Sequence, residues 1–143
     1  MHLIVDTNII ISALIRRAIT YEIIKIGNLH IYVPEHSIQE IERNKQEIID
    51  KMKVSADEFQ IVLISLLSHV EIIPRGQYCE FEEQAKQVCP HYKDFTFFAL
   101  ALAKDLPLWT NEKRLAQQSR VTVYNTGQII EKIGRNLFVR LNL

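Results

Sequence analysis

The chain predicts an α/β domain, a parallel sheet with helices on both faces, and three observations lead there. Short apolar runs, several rich in β-branched residues, recur at Leu3 to Val5, Leu29 to Val33, Val70 to Ile73, Leu106 to Trp109 and Val121 to Tyr124; strands buried on both faces read this way. Segments with apolar residues at helical spacing lie between them. The third observation is a break: Asp6-Thr7-Asn8 puts three polar side chains between the apolar segments Leu3 to Val5 and Ile9 to Ile11. A strand has no structural need for a carboxylate at its carboxyl end, and a buried charge is costly unless paired or metal-bound. Open α/β sheets hold their ligands just beyond the carboxyl ends of their strands, where Asp6 falls.

At 143 residues the chain is one domain's worth, long enough to bury roughly two-thirds of the surface its unfolded form exposes. A hydrophobic content of 48% with 24% charge excludes the disordered and fibrous classes. Cys79 and Cys89 have neither C-x-x-C nor zinc-finger spacing, as expected of reduced thiols in a cytoplasmic protein. No basic flank or small-residue cleavage site precedes the first strand, and no apolar stretch approaches the ~20 residues that cross a bilayer. Seventeen basic and seventeen acidic residues cancel, which argues against a protein that coats DNA through phosphate contacts. An enzyme with an acidic pocket and a basic rim also balances to zero.

Taken in order, Ile9 to Ile26 carries apolar residues at Ile11, Leu14, Ile15, Ile19, Ile23 and Ile26, predicting one helix with Arg16 and Arg17 near its middle. Pro34 closes the second strand. Ser37-Ile38-Gln39-Glu40 reads as a capping box opening a helix with Ile38, Ile41, Ile48, Ile49 and Met52 near one face. A second box, Ser55 to Glu58, opens a helix with Phe59, Val62, Leu63, Leu66 and Leu67 as its stripe. Two helices are thus expected between strands two and three. Pro74 stops strand three, and Arg75-Gly76 forms its turn. Glu80 to Val88 predicts a solvated helix, and Cys89 to Lys93 a loop, because Pro90 disfavours helix at Cys89. Phe95 to Ala103, apolar nearly all round, predicts a buried helix beginning at Asp94. Lys113 to Gln118 and Gln128 to Ile133 read as short helices, and Asn136 to Leu143 as a strand or extended arm.

Four acids follow strand ends or open helices, and each has a plain structural role available. Asp6 suits a helix N-cap, Glu40 the capping box with Ser37, Asp94 the cap of the buried helix, and Glu112 a first turn where it complements the helix dipole. Taken singly, those roles suffice. Together the four positions fall along one edge of a doubly wound sheet, where they repel one another unless a cation neutralises them. Oxygen-only ligation points to Mg²⁺ or Mn²⁺ and away from zinc.

The blocks Val5-Asp6-Thr7-Asn8, Pro34 to Ile41, Asp94 with Ala99-Leu100-Ala101, Trp109-Thr110-Asn111-Glu112-Lys113 and the closing Val123 to Ile130 resemble, in order, the PIN domain. The likeness spans nearly the whole chain. It implies a three-layer α/β/α fold with a central five-stranded parallel sheet. It also implies metal-dependent ribonuclease activity, many members being toxins of toxin–antitoxin pairs, with a Mg²⁺ or Mn²⁺ site at Asp6, Glu40, Asp94 and Glu112. Two departures stand out: Glu112 occupies a place where the family usually has Asp, and His91-Tyr92-Lys93 replaces a loop that often carries further Asp residues.

The expected chemistry is hydrolysis of an RNA phosphodiester by a metal-activated water, with Glu40 completing the coordination or accepting the proton. Asn8 and Thr110 are candidates for orienting the ligands, and equally for turn and cap roles. Arg16, Arg17, Lys93, Lys113 and Arg114 are candidates for RNA contact. His36 and His91 read as ordinary loop histidines near the site. A non-catalytic PIN fold that binds RNA or protein is the alternative, and a receiver-type domain with Asp6 as phospho-acceptor is a second. Phe138, Val139, Leu141 and Leu143 in the tail, with the family's habit, predict a homodimer; an antitoxin protein is the other expected partner.

Overall fold

In the computed structural model, which describes residues 1–17, 19–25 and 28–141 and the side chains of these up to 134, the first strand takes the centre of the sheet. β1 (His2–Val5) pairs in parallel with β2 (His30–Pro34) on one side and β4 (Leu108–Trp109) on the other; β3 (Val70–Ile73) and β5 (Val123–Tyr124) form the edges, giving the order β3-β2-β1-β4-β5. Leu3, Ile4 and Val5 are wholly buried, as a central strand requires. Their sides alternate, with Leu3 and Val5 in one core cluster and Ile4 in the other. The order is not that of receiver domains, in which β1 lies between β2 and β3, so the phospho-acceptor reading has no support from the fold.

Helices after β1 and β2 cover one face: α1 (Thr7–Arg16), α2 (Ile19–Lys25), α3 (Glu35–Arg43), α4 (Lys45–Met52) and α5 (Ala56–Leu67). The chain then reverses across the sheet, and the connection from β3 to β4 places α6 (Glu82–Val88) and α7 (Phe95–Lys104) on the opposite face, as right-handed crossovers demand when the winding direction changes. Phe98, Ala99 and Leu100 of α7 have no exposed surface, so the helix expected to be buried is so. Each large apolar side chain there contributes about 1.5–3 kcal/mol. This is the three-layer α/β/α fold with five parallel strands.

Four expectations are corrected. The helix from Ile9 to Ile26 is two helices, because Arg17 adopts a left-handed conformation (φ 42°) and its N–H caps Ala13 O at 3.0 Å; Ile26 lies outside the described residues. The apolar stripe from Ile15 to Ile19 keeps its spacing across the break, so periodicity passes over it. Three helices, not two, lie between β2 and β3, with Asn44 as the joint between α3 and α4. Ser37 caps nothing: α3 begins at Glu35 behind Pro34, and Ser37 is fully buried in its first turn. The tail forms no strand, since α8 (Thr126–Leu141) runs through it; the side chains of Phe138, Val139 and Leu141, and Leu143 altogether, lie outside the described residues. The Ser55 box holds, its Oγ accepting from Glu58 N at 3.1 Å. Both cysteines are free.

Candidate active site

The crevice of a doubly wound sheet opens where successive connections leave in opposite directions, here between β1 and β4. Asp6 and Thr110 are the residues that follow those two strands. The Asp6 N–H donates to Trp109 O at 3.0 Å, locking the strand ends together, and Thr110 N donates to Tyr124 O at 3.0 Å. Across the crevice the Thr110 hydroxyl donates to Asp6 Oδ2 at 2.7 Å, while its oxygen accepts from Glu112 N at 3.1 Å. Thr110 thus holds the Asp6 carboxylate with its hydroxyl proton and the turn before Glu112 with its oxygen.

Asp6 is buried, 4% exposed, and its Oδ1 accepts from Asn8 N at 3.1 Å. The N-cap role is real, and it leaves the charge in the crevice. Burial first, with the charges of Asp94 and Glu40 adding to it, raises the Asp6 carboxyl from 3.8 to about 6, against the pull of the Thr110 and Asn8 hydrogen bonds. The three acids therefore share one electrostatic neighbourhood, as the topology predicts.

The other acids differ in what holds them. Glu40, freed of any capping-box role, points its Oε1 to Thr7 Oγ1 at 2.8 Å, and Thr7 Oγ1 lies 2.7 Å from Ser37 Oγ. A carboxylate only accepts, so the Thr7 proton goes to Glu40 and the Ser37 proton to Thr7. Thr7 and Ser37 are fully buried, and this two-hydroxyl relay fixes Glu40 against α1. Sequence reasoning missed it because Ser-x-x-Glu matches the capping pattern equally well. Asp94 makes no cap hydrogen bond; its Oδ2 lies 3.1 Å from His91 Nδ1. His36 Nε2 lies 3.3 Å from Glu40 Oε1. Both histidines thus meet a site acid, His36 from one helical turn before Glu40, a spacing visible in the sequence.

Glu112 departs from the group. It caps the 3₁₀ turn Lys113–Ala116, its Oε1 accepting from Arg114 N at 3.3 Å and pairing with Arg114 Nε at 3.1 Å. Arg114 holds its carboxyl below the usual range. Here the plain capping role is the observed one. Of the basic candidates, Lys93, Lys113 and Arg114 flank the acids in sequence and lie in turns. Arg16 and Arg17 stand at the far end of α1 from Asp6, about 15 Å away at 1.5 Å per residue, and Arg17 pairs with Glu58 at 3.7 Å. Asn8 serves Asp6 through its backbone.

Among the described residues no three His, Cys, Asp or Glu side chains stand ready to share a metal ion. The donor chemistry nevertheless suits a hard divalent cation: oxygen ligands only, one of them buried, with a raised pKa that a cation would lower. Each acid is held by a protein group: Asp6 by Thr110, Glu40 by Thr7 with His36 at 3.3 Å, and Asp94 by His91.

Fold and site together define a doubly wound α/β protein with an acidic crevice at its switch point. The PIN domain family matches residues 4–129, and the chain belongs to that family, whose members are generally nucleases. Among solved structures, VapBC2 from Rickettsia felis, bound to a DNA fragment from their promoter, superposes with a TM-score of 0.64 at 21% identity over 87% of this chain and 98% of the other. PAE2754 from Pyrobaculum aerophilum gives 0.63 at 15% identity over 94% and 90%. At these identities the likeness is one of fold. No curated protein matches significantly by sequence. No helix among the described residues is long and apolar enough to cross a membrane.

Proposed function

We propose that the protein is a divalent-metal-dependent endoribonuclease and the toxin of a toxin–antitoxin pair, held in check by an antitoxin protein and working in the cytoplasm as a homodimer. The observation that carries this reading is the buried, electrostatically loaded Asp6 at the switch point, coupled to Asp94 and Glu40. The fold likeness to the VapBC2 structure supports the antitoxin partner.

Asp6, Glu40 and Asp94 would hold Mg²⁺ or Mn²⁺, which when bound lowers the pKa of a water and neutralises charge at the phosphoryl oxygens. Thr110 keeps the Asp6 carboxylate aimed into the crevice, and the Thr7–Ser37 relay does the same for Glu40. Glu40, with His36 beside it, accepts the proton of the attacking water. Arg114, Lys113 and Lys93 receive the RNA backbone, as do Arg16 and Arg17 for a longer strand. A phosphate that draws Arg114 away releases Glu112 to join the acids, which gives the extra methylene of Glu over Asp a use.

The test is cleavage of structured and single-stranded RNA with Mn²⁺, Mg²⁺ or EDTA, with wild type beside Asp6→Asn and Asp94→Asn. Metal-dependent cutting lost in both variants supports the reading. Two observations favour a second reading, a PIN fold that binds RNA or protein without cutting it: no ready-made metal group exists among the described residues, and Glu112 is engaged by Arg114. RNA retained but uncut with every metal would favour that module.

A further inference from the structure

Beside the acidic crevice lies a recess of about 380 Å³ lined by residues of α3, of the turn after β3 and of the start of α7. His36, which lines it, lies 3.3 Å from Glu40 Oε1, and in sequence Lys93 and Phe95 bracket Asp94. Its frame is tied by an ion pair and a backbone hydrogen bond. The Arg75 guanidinium is paired with Glu82 through two bonds, Nε to Oε1 at 2.7 Å and Nη2 to Oε2 at 3.3 Å, and Arg75 N donates to Glu35 Oε1 at 2.8 Å. Tyr78, 2% exposed, closes the floor. This ties the turn after β3 to both α3 and α6.

Charge decides the class of ligand. Glu35 and Glu82 balance Arg75 and Lys93, so the recess is formally neutral and has no excess of cations to hold a free phosphate. Its walls include the rings of Phe95, which carries Lys86 Nζ 5.0 Å from its centroid, and of His36, which packs edge-on against Phe97 with centroids 6.5 Å apart. Two polar side chains that line it, the Gln39 amide and the Thr96 hydroxyl, have no hydrogen-bond partner among the described residues. A neutral, flat, polar ring with donors and acceptors on its edge satisfies all three features.

We propose that this recess is a nucleobase subsite, taking the base of the nucleotide next to the scissile phosphate in single-stranded RNA and setting the sequence at which the strand is cut. The proposal rests on the nuclease reading above. The base lies against Phe95 and His36, its edge meets Gln39 and Thr96, and Lys93 at the rim meets the phosphate that leads to the acids. Stacking supplies sequence-tolerant affinity, and the edge contacts supply discrimination. An unpaired base is required, because only then can its edge enter a pocket.

The experiment pairs two readouts on wild type, Gln39→Leu and Thr96→Val. In the first, a randomised single-stranded RNA pool is cut with Mn²⁺ and the ends are sequenced. The expected result is a base preference at one position flanking the cut that falls about tenfold in Gln39→Leu; an identical preference in both variants overturns the subsite. In the second, the four nucleoside 5′-monophosphates are titrated into metal-free protein and followed by NMR at Gln39, Thr96 and Phe95. Shifts there that weaken in Gln39→Leu support the subsite, and no shift at millimolar nucleotide overturns it. A pool left uncut counts against the nuclease reading alone, and the titration still decides the subsite.

Discussion

Asp6 and Glu112 are both carboxylates placed just after neighbouring parallel strands, and both accept a backbone N–H two residues ahead. They end in opposite electrostatic states. Asp6 sits in the crevice between β1 and β4, where burial and two neighbouring acids raise its pKa to about 6. Glu112 sits on an exposed turn beside Arg114, which lowers its pKa. The same local motif therefore pairs with an arginine at one corner and lies buried among acids at the other, and what separates them is depth in the sheet and the sign of the nearest charge.

The largest break in the comparison is expected from Asp6→Asn. Cleavage in initial-rate assays falls by more than about a hundredfold, beyond the 10–100-fold typical of groups that merely orient a metal ligand. Next, Thr110→Val and Thr7→Val each lower the cleavage rate by about 10–100-fold and cost roughly 1–3 kcal/mol of stability in urea melts, because a buried polar group loses its partner.

A third expectation concerns stability without metal. The folded pKa of Asp6, about 6, lies above the ordinary value of 3.8, so the folded state binds this proton more tightly than the unfolded one. Its contribution is fully present below pH 3.8 and is lost as pH rises through 6. The loss comes to up to about 3 kcal/mol at neutral pH, from 1.36 kcal/mol per unit. Metal-free Asp6→Asn should then melt a few degrees above wild type at pH 8 and no higher at pH 4; equal melting at both values would show that Asp6 bears no such strain. The smallest effect belongs to Glu112→Gln, expected to slow cleavage less than about tenfold. A loss as large as that of Asp6→Asn would erase the distinction.

Much of this was legible in the residues. The five strands and the position of Asp6 at a strand's carboxyl end followed from apolar runs and one polar break, since a strand buried on both faces leaves little else to choose; that this strand is the central one comes from the fold. What stayed hidden depended on contacts across the fold. Ser37 matched a capping box locally, yet Pro34 starts the helix earlier and the hydroxyl serves Thr7, thirty residues away in sequence. The break at Arg17 preserves the apolar spacing on either side, so no periodicity could report it. Glu112 carried the same signal as the other acids, and only the fold shows Arg114 on it. The recess beside α3 is assembled from three separate segments and has no sequence motif.

In the proposed function Asp6, Asp94 and Glu40 form a cation site from which Glu112, paired with Arg114, initially stands apart. Calorimetric titration with Mn²⁺ at pH 7.5 tests it most directly, comparing wild type with Asp6→Asn, Asp94→Asn and Glu112→Gln. Binding in wild type that is kept in Glu112→Gln and lost in the two aspartate variants is the predicted result. No heat of binding up to millimolar Mn²⁺, or undiminished binding in Asp6→Asn, would contradict it.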